Sequence, residues 1–193
     1  MTLKRPAPLA VELNAQAHGQ QAVLLAGEEE LAVAEIASLT IDVPDPPSLD
    51  QAAAAEDRFD KAAHIYPGCF VCGPDREPGD GWRIFAGSIG EGRVAAAWTA
   101  DPEFADEDGA VRPQFVWAAL DCPGYFAVQE AAGLALLGRM GVVIHRPVPA
   151  GELLIVQGWA IGSEGRKHRA GTALHDESGR LLAAAEQVWV SLK

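Results

Sequence analysis

Residues 111–126, from Val111 to Phe126, constrain the fold of this chain more than any other stretch. They form the one long apolar segment with helical periodicity in the C-terminal two thirds. Phe115, Ala118, Ala119, Cys122 and Phe126 recur at three- and four-residue steps, so they can share one buried stripe. Pro113 suits a first helical turn, where its missing N–H would be unpaired anyway. The spacing predicts a helix over 113–128, with Gly133 ending its extension. Asp121 lies inside the apolar run, where a carboxylate costs free energy unless it is paired, solvated at a cleft or used. Residues 136–144, 153–161, 171–175 and 182–192 read as strands joined by turn-like connections. The expectation is a sheet that curls around the helix, with Asp121 facing whatever the sheet and a partner subunit enclose.

Ahead of the helix, 81–86 and Val94–Thr99 flank the turn Gly90-Glu91-Gly92 and predict a hairpin. Further upstream, Leu9–Leu13, Gln21–Ala26 and Leu31–Ile36 read as strands, the last two forming a hairpin through Gly27–Glu30. His18 through Ile36 echoes His168 through Glu186, by descent from a repeated unit or by chance. Pro44, Pro46 and Pro47 then break regular structure. Ser48 can cap a short helix over Leu49–Phe59. Segment 42–60 holds six acids against one base, Arg58, and reads as a surface linker with a helix.

A chain of 193 residues suits one domain with an extension. No apolar run approaches a membrane span, and the N-terminus lacks a signal-peptide pattern, so the expectation is a cytoplasmic protein without a membrane partner. A net charge of -12 argues against nucleic acid, which needs a basic surface. The basic residues cluster late, with Arg166, Lys167 and Arg169 close together. That is compatible with an anionic small ligand.

Three cysteines are too few for a disulfide scaffold. Cys69-Phe70-Val71-Cys72-Gly73 has the spacing of a zinc knuckle, in which two thiolates on a tight turn reach one tetrahedral ion. His64 is a third candidate ligand. A fourth is absent nearby, with Cys122 and Asp121 as distant candidates. The plainer reading, and the one adopted for the cofactor, is a turn with two buried thiols and no metal. A redox pair is opposed by Gly73-Pro74, which disfavours a helix there.

The order strand, strand, long apolar helix, then antiparallel strands resembles the hotdog fold. Residues 64–193 are similar to the thioesterase-like branch carrying a Pro-Gly-Cys-x-x-Cys-Gly segment (Pro67–Gly73) and an Ala-Leu-Asp-Cys-Pro-Gly segment (Ala119–Gly124). The resemblance implies an α+β fold: a curved antiparallel sheet wrapped around a long central helix, with an N-terminal β-hairpin extension. Residues 1–60 would be hairpin and linker, and 61–193 the hotdog domain. The implied ligand is an acyl-CoA or related acyl thioester, and the implied assembly a homodimer or higher oligomer.

In thioesterases of the phenylacetate-degradation type, a His-Gly-Gly turn opens the helix and a Leu-Asp on it supplies the catalytic carboxylate. Leu120-Asp121 matches the second element. Arg112-Pro113-Gln114 replaces the first, and Pro113 has no N–H to polarise a carbonyl. The resemblance therefore makes Asp121 and Gln114 the candidate catalytic residues. Phe115 and Trp117, with Arg166, Lys167 and Arg169, are the candidates for substrate binding. Asp121 could activate water or attack directly, or it could pair with an arginine and only fix the helix. His145 and His168 suit surface or phosphate-facing positions. Hydrolysis of the thioester and non-catalytic acyl binding both remain open; a hydratase would want a His beside the carboxylate.

Overall fold

A computed structural model describes residues 1–192. Ten strands form one sheet in the order β2-β3-β4-β1-β7-β10-β9-β8-β6-β5, and every pairing is antiparallel. The strands are β1 (Thr2–Leu3), β2 (Asn14–His18), β3 (Gln21–Ala26), β4 (Glu29–Glu35), β5 (Gly87–Gly90), β6 (Arg93–Thr99), β7 (Ala135–Ile144), β8 (Leu153–Glu164), β9 (Lys167–Asp176) and β10 (Leu181–Ser191).

The N-terminal region is more than a hairpin. It holds four strands, and they extend the same sheet through β1, which pairs with both β4 and β7. The expected strand over Leu9–Leu13 is not formed; Ala10 takes a left-handed conformation, φ 56°, and pairing begins at Asn14. Part of the outer edge of β7, open in a sheet that begins at residue 61, is thereby covered within the chain.

One face of the sheet carries two helices. Val116, Leu120, Val156, Leu174, Ala183 and Ala185 form the core between them and the strands. The opposite face is covered by residues between 41 and 56. Helix α1 (Leu49–Glu56) begins at Ser48, whose side chain accepts the Gln51 N–H while the Gln51 side chain returns to the Ser48 N–H, a complete capping box. It buries Ala52 and Ala55 on Ala95 and Ile155. Gly87 permits this approach, since a Cβ there would collide with the Ala55 carbonyl. Ile41 and Val43 pack beside Trp159, Ala173 and Ala184 on the same face.

The long helix is broken in two. Helix α2 (Pro113–Ala119) and helix α3 (Cys122–Ala132) meet at Leu120–Asp121. The sequence contains the cause. Pro123 has no N–H for the Ala119 carbonyl, and its ring would crowd that carbonyl in a continuous helix. The carbonyls at the break itself take donors from the sheet. Leu120 O accepts from Thr172 Oγ1 at 2.8 Å and from Gln187 Nε2 at 2.5 Å; Asp121 O accepts from Gln187 Nε2 at 3.1 Å. Gln187 Oε1 in turn accepts the Trp189 indole N–H at 2.7 Å. Gly124 lets α3 come this close, because a Cβ would fall on the Gln187 amide.

Residues 81–86 do not form the expected strand. Arg83 takes a left-handed conformation, φ 51°, and the segment lies against the cysteine turn, with Trp82 N–H donating to Phe70 O and Ile84 N–H to Val71 O, both at 2.8 Å. The hairpin is instead β5–β6, starting at Gly87.

Two outcomes follow from this packing. Gln187→Leu keeps the side-chain bulk but strands the buried Trp189 N–H and leaves Leu120 O with Thr172 alone and Asp121 O with the Gly124 N–H alone; denaturant unfolding should show a loss of about 1–3 kcal/mol. His175 is buried, its Nδ1 has no partner, and burial pushes its pKa down to about 4 against a weaker opposing pull from Asp176. Between about pH 6.5 and 4 the unfolded chain binds a proton at this site that the native protein does not. Stability should therefore fall through that window as pH drops, by about 3 kcal/mol from this group. Unfolding curves of His175→Gln should lose that part of the pH dependence.

Candidate functional site

The site grows from the Cys-x-x-Cys turn. Cys69 N–H donates to Tyr66 O, Gly73 N–H to Cys69 O and Asp75 N–H to Pro67 O, at 2.9, 2.9 and 3.0 Å. Gly73 is required by this tight winding: a Cβ would strike the backbone of Pro67 and Cys69. Phe70 anchors the turn in an aromatic cluster with Trp82, Phe104 and Phe115. So held, the turn lies across the N-terminus of α3, whose first residue is Cys122.

All three cysteines of the chain thus meet. Cys69 Sγ is 3.7 Å from Cys122 Sγ, and the Sγ atoms of Cys69, Cys72 and Cys122 lie within 4.8 Å of one another. His64 Nε2 is 3.1 Å from Cys72 Sγ, and its Nδ1 accepts the Tyr66 N–H at 2.9 Å. The His64 ring packs between Phe59 and Phe126.

The electrostatics are those of a shared thiolate. Cys69 is pulled down to about 2 by hydrogen bonds from the Cys122 and Cys72 thiols, helped by the Cys72 and Val71 N–H groups and opposed by burial. Cys72 is pushed up: a hydrogen bond from Cys122 pulls the other way, but its own bond to Cys69, burial and the negative charges of Cys69 and Asp121 outweigh it. Cys122 is also pushed up, chiefly by its bonds to Cys69 and Cys72. The cluster therefore carries its first negative charge on Cys69 and titrates as one group. Asp121 is raised to about 7, mainly by burial and then by the Cys69 charge, and its Oδ1 is sealed from solvent without a hydrogen-bond partner.

Beside this cluster is a cavity of about 310 Å³ between α3, β5, β7, β10 and residues 58–72. Its walls are largely apolar: Phe59, Ile65, Tyr66, Phe126, Leu136 and Trp189. His64 and the three cysteines share the lining, and Arg58 is its one guanidinium or ammonium group among the described residues. Arg58 is exposed and tethered by its Nε to Ser88 O at 2.5 Å.

The expected site residues separate. Asp121 lies by the thiols, behind the cavity wall and not in it. Gln114 is exposed on the first turn of α2. Phe115 packs in the aromatic cluster, and Trp117 lines a second cavity of about 640 Å³ along β7, with Arg139 and Glu186. Arg166, Lys167 and Arg169 do not line the first cavity. Arg169 pairs with Glu186 at 2.6 Å, and Arg166 reaches Ser191 O at 3.3 Å. His168 is not on the surface: it is 4% exposed and held between Ser163 Oγ and Ser191 Oγ at 2.8 and 2.9 Å. Sequence reasoning missed Arg58, a lone base in an acidic linker. The meeting of Cys122 with the Cys-x-x-Cys turn had one sequence signal, that the chain has no other cysteine.

No family model and no curated protein matches the chain. Solved structures do. A thioesterase superfamily protein superposes with a TM-score of 0.55 at 19% identity, over 61% of this chain and 62% of its own. A protein from Streptococcus mutans bound to acetyl CoA gives 0.51 at 10% identity, over 55% and 86%. An uncharacterized protein from Pyrococcus horikoshii gives 0.50 at 23% identity, over 57% and 86%. The chain thus spans less than two thirds of the length of the first of these. At such identities the likeness is one of fold alone: an antiparallel sheet packed against helices, in the hotdog arrangement.

Proposed function

We propose that this protein is a thioesterase-like hotdog protein that takes the acyl part of an acyl-CoA, or of a related acyl thioester, into the cavity beside α3. The cavity carries this reading. It has the size of a small-ligand pocket, its walls are aromatic and aliphatic, and Arg58 stands at it as a cation for a phosphate-bearing ligand. Ile65, Tyr66 and Leu136 leave 48%, 49% and 42% of their surface exposed there, apolar area that a bound acyl chain would cover. The Streptococcus mutans protein of the same fold, bound to acetyl CoA, supports the choice of ligand class.

Hydrolysis of the bound thioester is the second reading, favoured by Asp121. A buried carboxylate oxygen without a hydrogen-bond partner is what a structural role for Asp121 would remove, and Oδ1 has none. In this reading Asp121 acts as base toward water admitted past the thiols. The N-terminal end of α3 polarises the thioester carbonyl; Gln114, exposed and outside the cavity wall, contributes at most its place at the start of α2.

Thermal melts against a panel of acyl-CoAs of increasing chain length test the binding reading. A rise in Tm that depends on chain length, reduced by Phe126→Trp and, in a salt-dependent way, by Arg58→Glu, is the expected result. A flat response across the panel would sink it. A free-thiol assay on the same panel tests hydrolysis. Asp121→Asn should lower turnover by roughly two to four orders of magnitude while stability holds or rises, because a charged carboxylate is costly among apolar neighbours. Lost stability with unchanged activity per folded molecule would return Asp121 to a structural role.

A further inference from the structure

We infer that Cys69, Cys72 and Cys122 form a three-thiolate site for one zinc-like divalent cation, with the fourth coordination position turned toward the cavity. Four observations support it. The first is convergence: the only three cysteines of the chain are brought together although Cys122 lies 53 residues beyond Cys69.

The second is spacing. With zinc–sulfur bonds of about 2.3 Å, the edge of a tetrahedron of thiolates is about 3.8 Å. The Cys69–Cys122 separation is 3.7 Å, and all three sulfurs lie within 4.8 Å of one another. A disulfide would need about 2.05 Å and would leave one thiol over.

The third is backbone support for negative sulfur. The turn brings the Val71 and Cys72 N–H groups close to Cys69, and Cys122 opens an eleven-residue helix, whose N-terminal end favours a thiolate. Gly73 makes the winding possible. Such a turn gathers charge from several directions at once, which two inert buried thiols do not require.

The fourth is the ring of polar groups around the cluster. His64 Nδ1 accepts the Tyr66 N–H, so in the neutral ring Nε2 carries the proton and donates it to Cys72 Sγ. His64 is then an outer support of a thiolate and not the fourth ligand. Asp121 Oδ1, buried and unpartnered, lies near the same sulfurs. Because the three cysteines all line the cavity, the open position faces it, available to water or to a donor atom of a bound molecule. Soft thiolates select zinc or copper(I) over magnesium or calcium. Binding displaces the protons held on Cys72 and Cys122, which leave to solvent. This inference does not depend on the acyl-thioester reading.

The full chain, produced in zinc-supplemented medium and purified without chelator, should carry about one equivalent of zinc by elemental analysis. The zinc should be released on titration with a mercurial thiol reagent. Cobalt(II) exchanged into it should show the sulfur-to-cobalt charge-transfer band and intense visible bands of a tetrahedral thiolate site. Cys122→Ser, checked for folding by circular dichroism, should lose the metal together with these bands, while His64→Ala should keep one equivalent. A wild-type protein that takes up neither zinc nor cobalt under reducing conditions overturns the proposal without recourse to any variant. Retention of an unchanged cobalt spectrum in Cys122→Ser overturns the three-thiolate site, and loss of metal in His64→Ala overturns the open fourth position. Copper or an iron–sulfur chromophore in place of zinc overturns the assignment of the ion.

Discussion

The break at Leu120–Asp121, and the pair of side chains that closes it, is the constraint on which the rest of the molecule depends. A helix broken at Leu120–Asp121 leaves carbonyls there that cannot stay unpaired in an apolar interior. Thr172 and Gln187 supply the donors from the middle of the sheet. Because those residues sit on adjacent strands, the break locates α3 along β9 and β10 and not merely above them. It also sets the direction of Cys122, Tyr125 and Phe126, and with it the wall of the cavity. Gly124 and Gly158 belong to the same constraint. A Cβ at the first would meet the Gln187 amide and at the second the Pro123 carbonyl, so the helix start is pressed onto the sheet at two points.

The sheet itself is covered on both faces. Helices α2 and α3 fill one, and α1 with residues 41–43 fills the other. Strands buried on both sides should be apolar throughout, and β9 and β10 show this: Ala170 to His175 and Leu182 to Ala185 are buried without alternation. The polar residues that remain inside are each held, Thr172 and Gln187 by the helix break and His168 by two serines. His175 Nδ1 and the Trp98 indole N–H have no such partner, and burial keeps the His175 ring neutral. Residues 41–56 cover the outer face while β1 to β4 give the sheet its last four strands, so the N-terminal region is joined to the rest by packing in one part and by hydrogen bonds in the other.

Charge is concentrated where the chain can least solvate it. The thiols of Cys69, Cys72 and Cys122 share protons among themselves, and Asp121 next to them is raised by burial and by the Cys69 charge. The Cys122 and Cys72 thiols favour a thiolate on Cys69, and that charge in turn resists the ionisation of Cys72 and Asp121. Such a cluster is stable with one shared negative charge or with a cation inside it; an empty, fully ionised one would repel itself apart. That one small volume holds all of the chain's sulfur nucleophiles, an unpaired carboxylate and a histidine is why it dominates the chemistry available to this protein.

The helix-and-strand order was readable from residues 111–192 because hydrophobic period alone separates a 3.6-residue pattern from strands bounded by glycine and proline turns. The Ser48–Gln51 cap was readable too, since both partners lie within one turn. The tight turn at Cys69–Gly73 followed from local spacing in the same way. What the sequence could not decide is where distant segments meet. Pro123 is compatible with a helix start or a kink, and only the donors of Thr172 and Gln187, some fifty and sixty-six residues away, make the break stable. Residues 81–86 have strand composition, yet the backbone of Phe70 and Val71 claims their N–H groups before a neighbouring strand can. Arg58 at the cavity and Cys122 at the cysteine turn arise from the curvature of the sheet and the placement of α3. These are sums over many weak contacts between residues far apart in the chain, which no local pattern of residue types encodes.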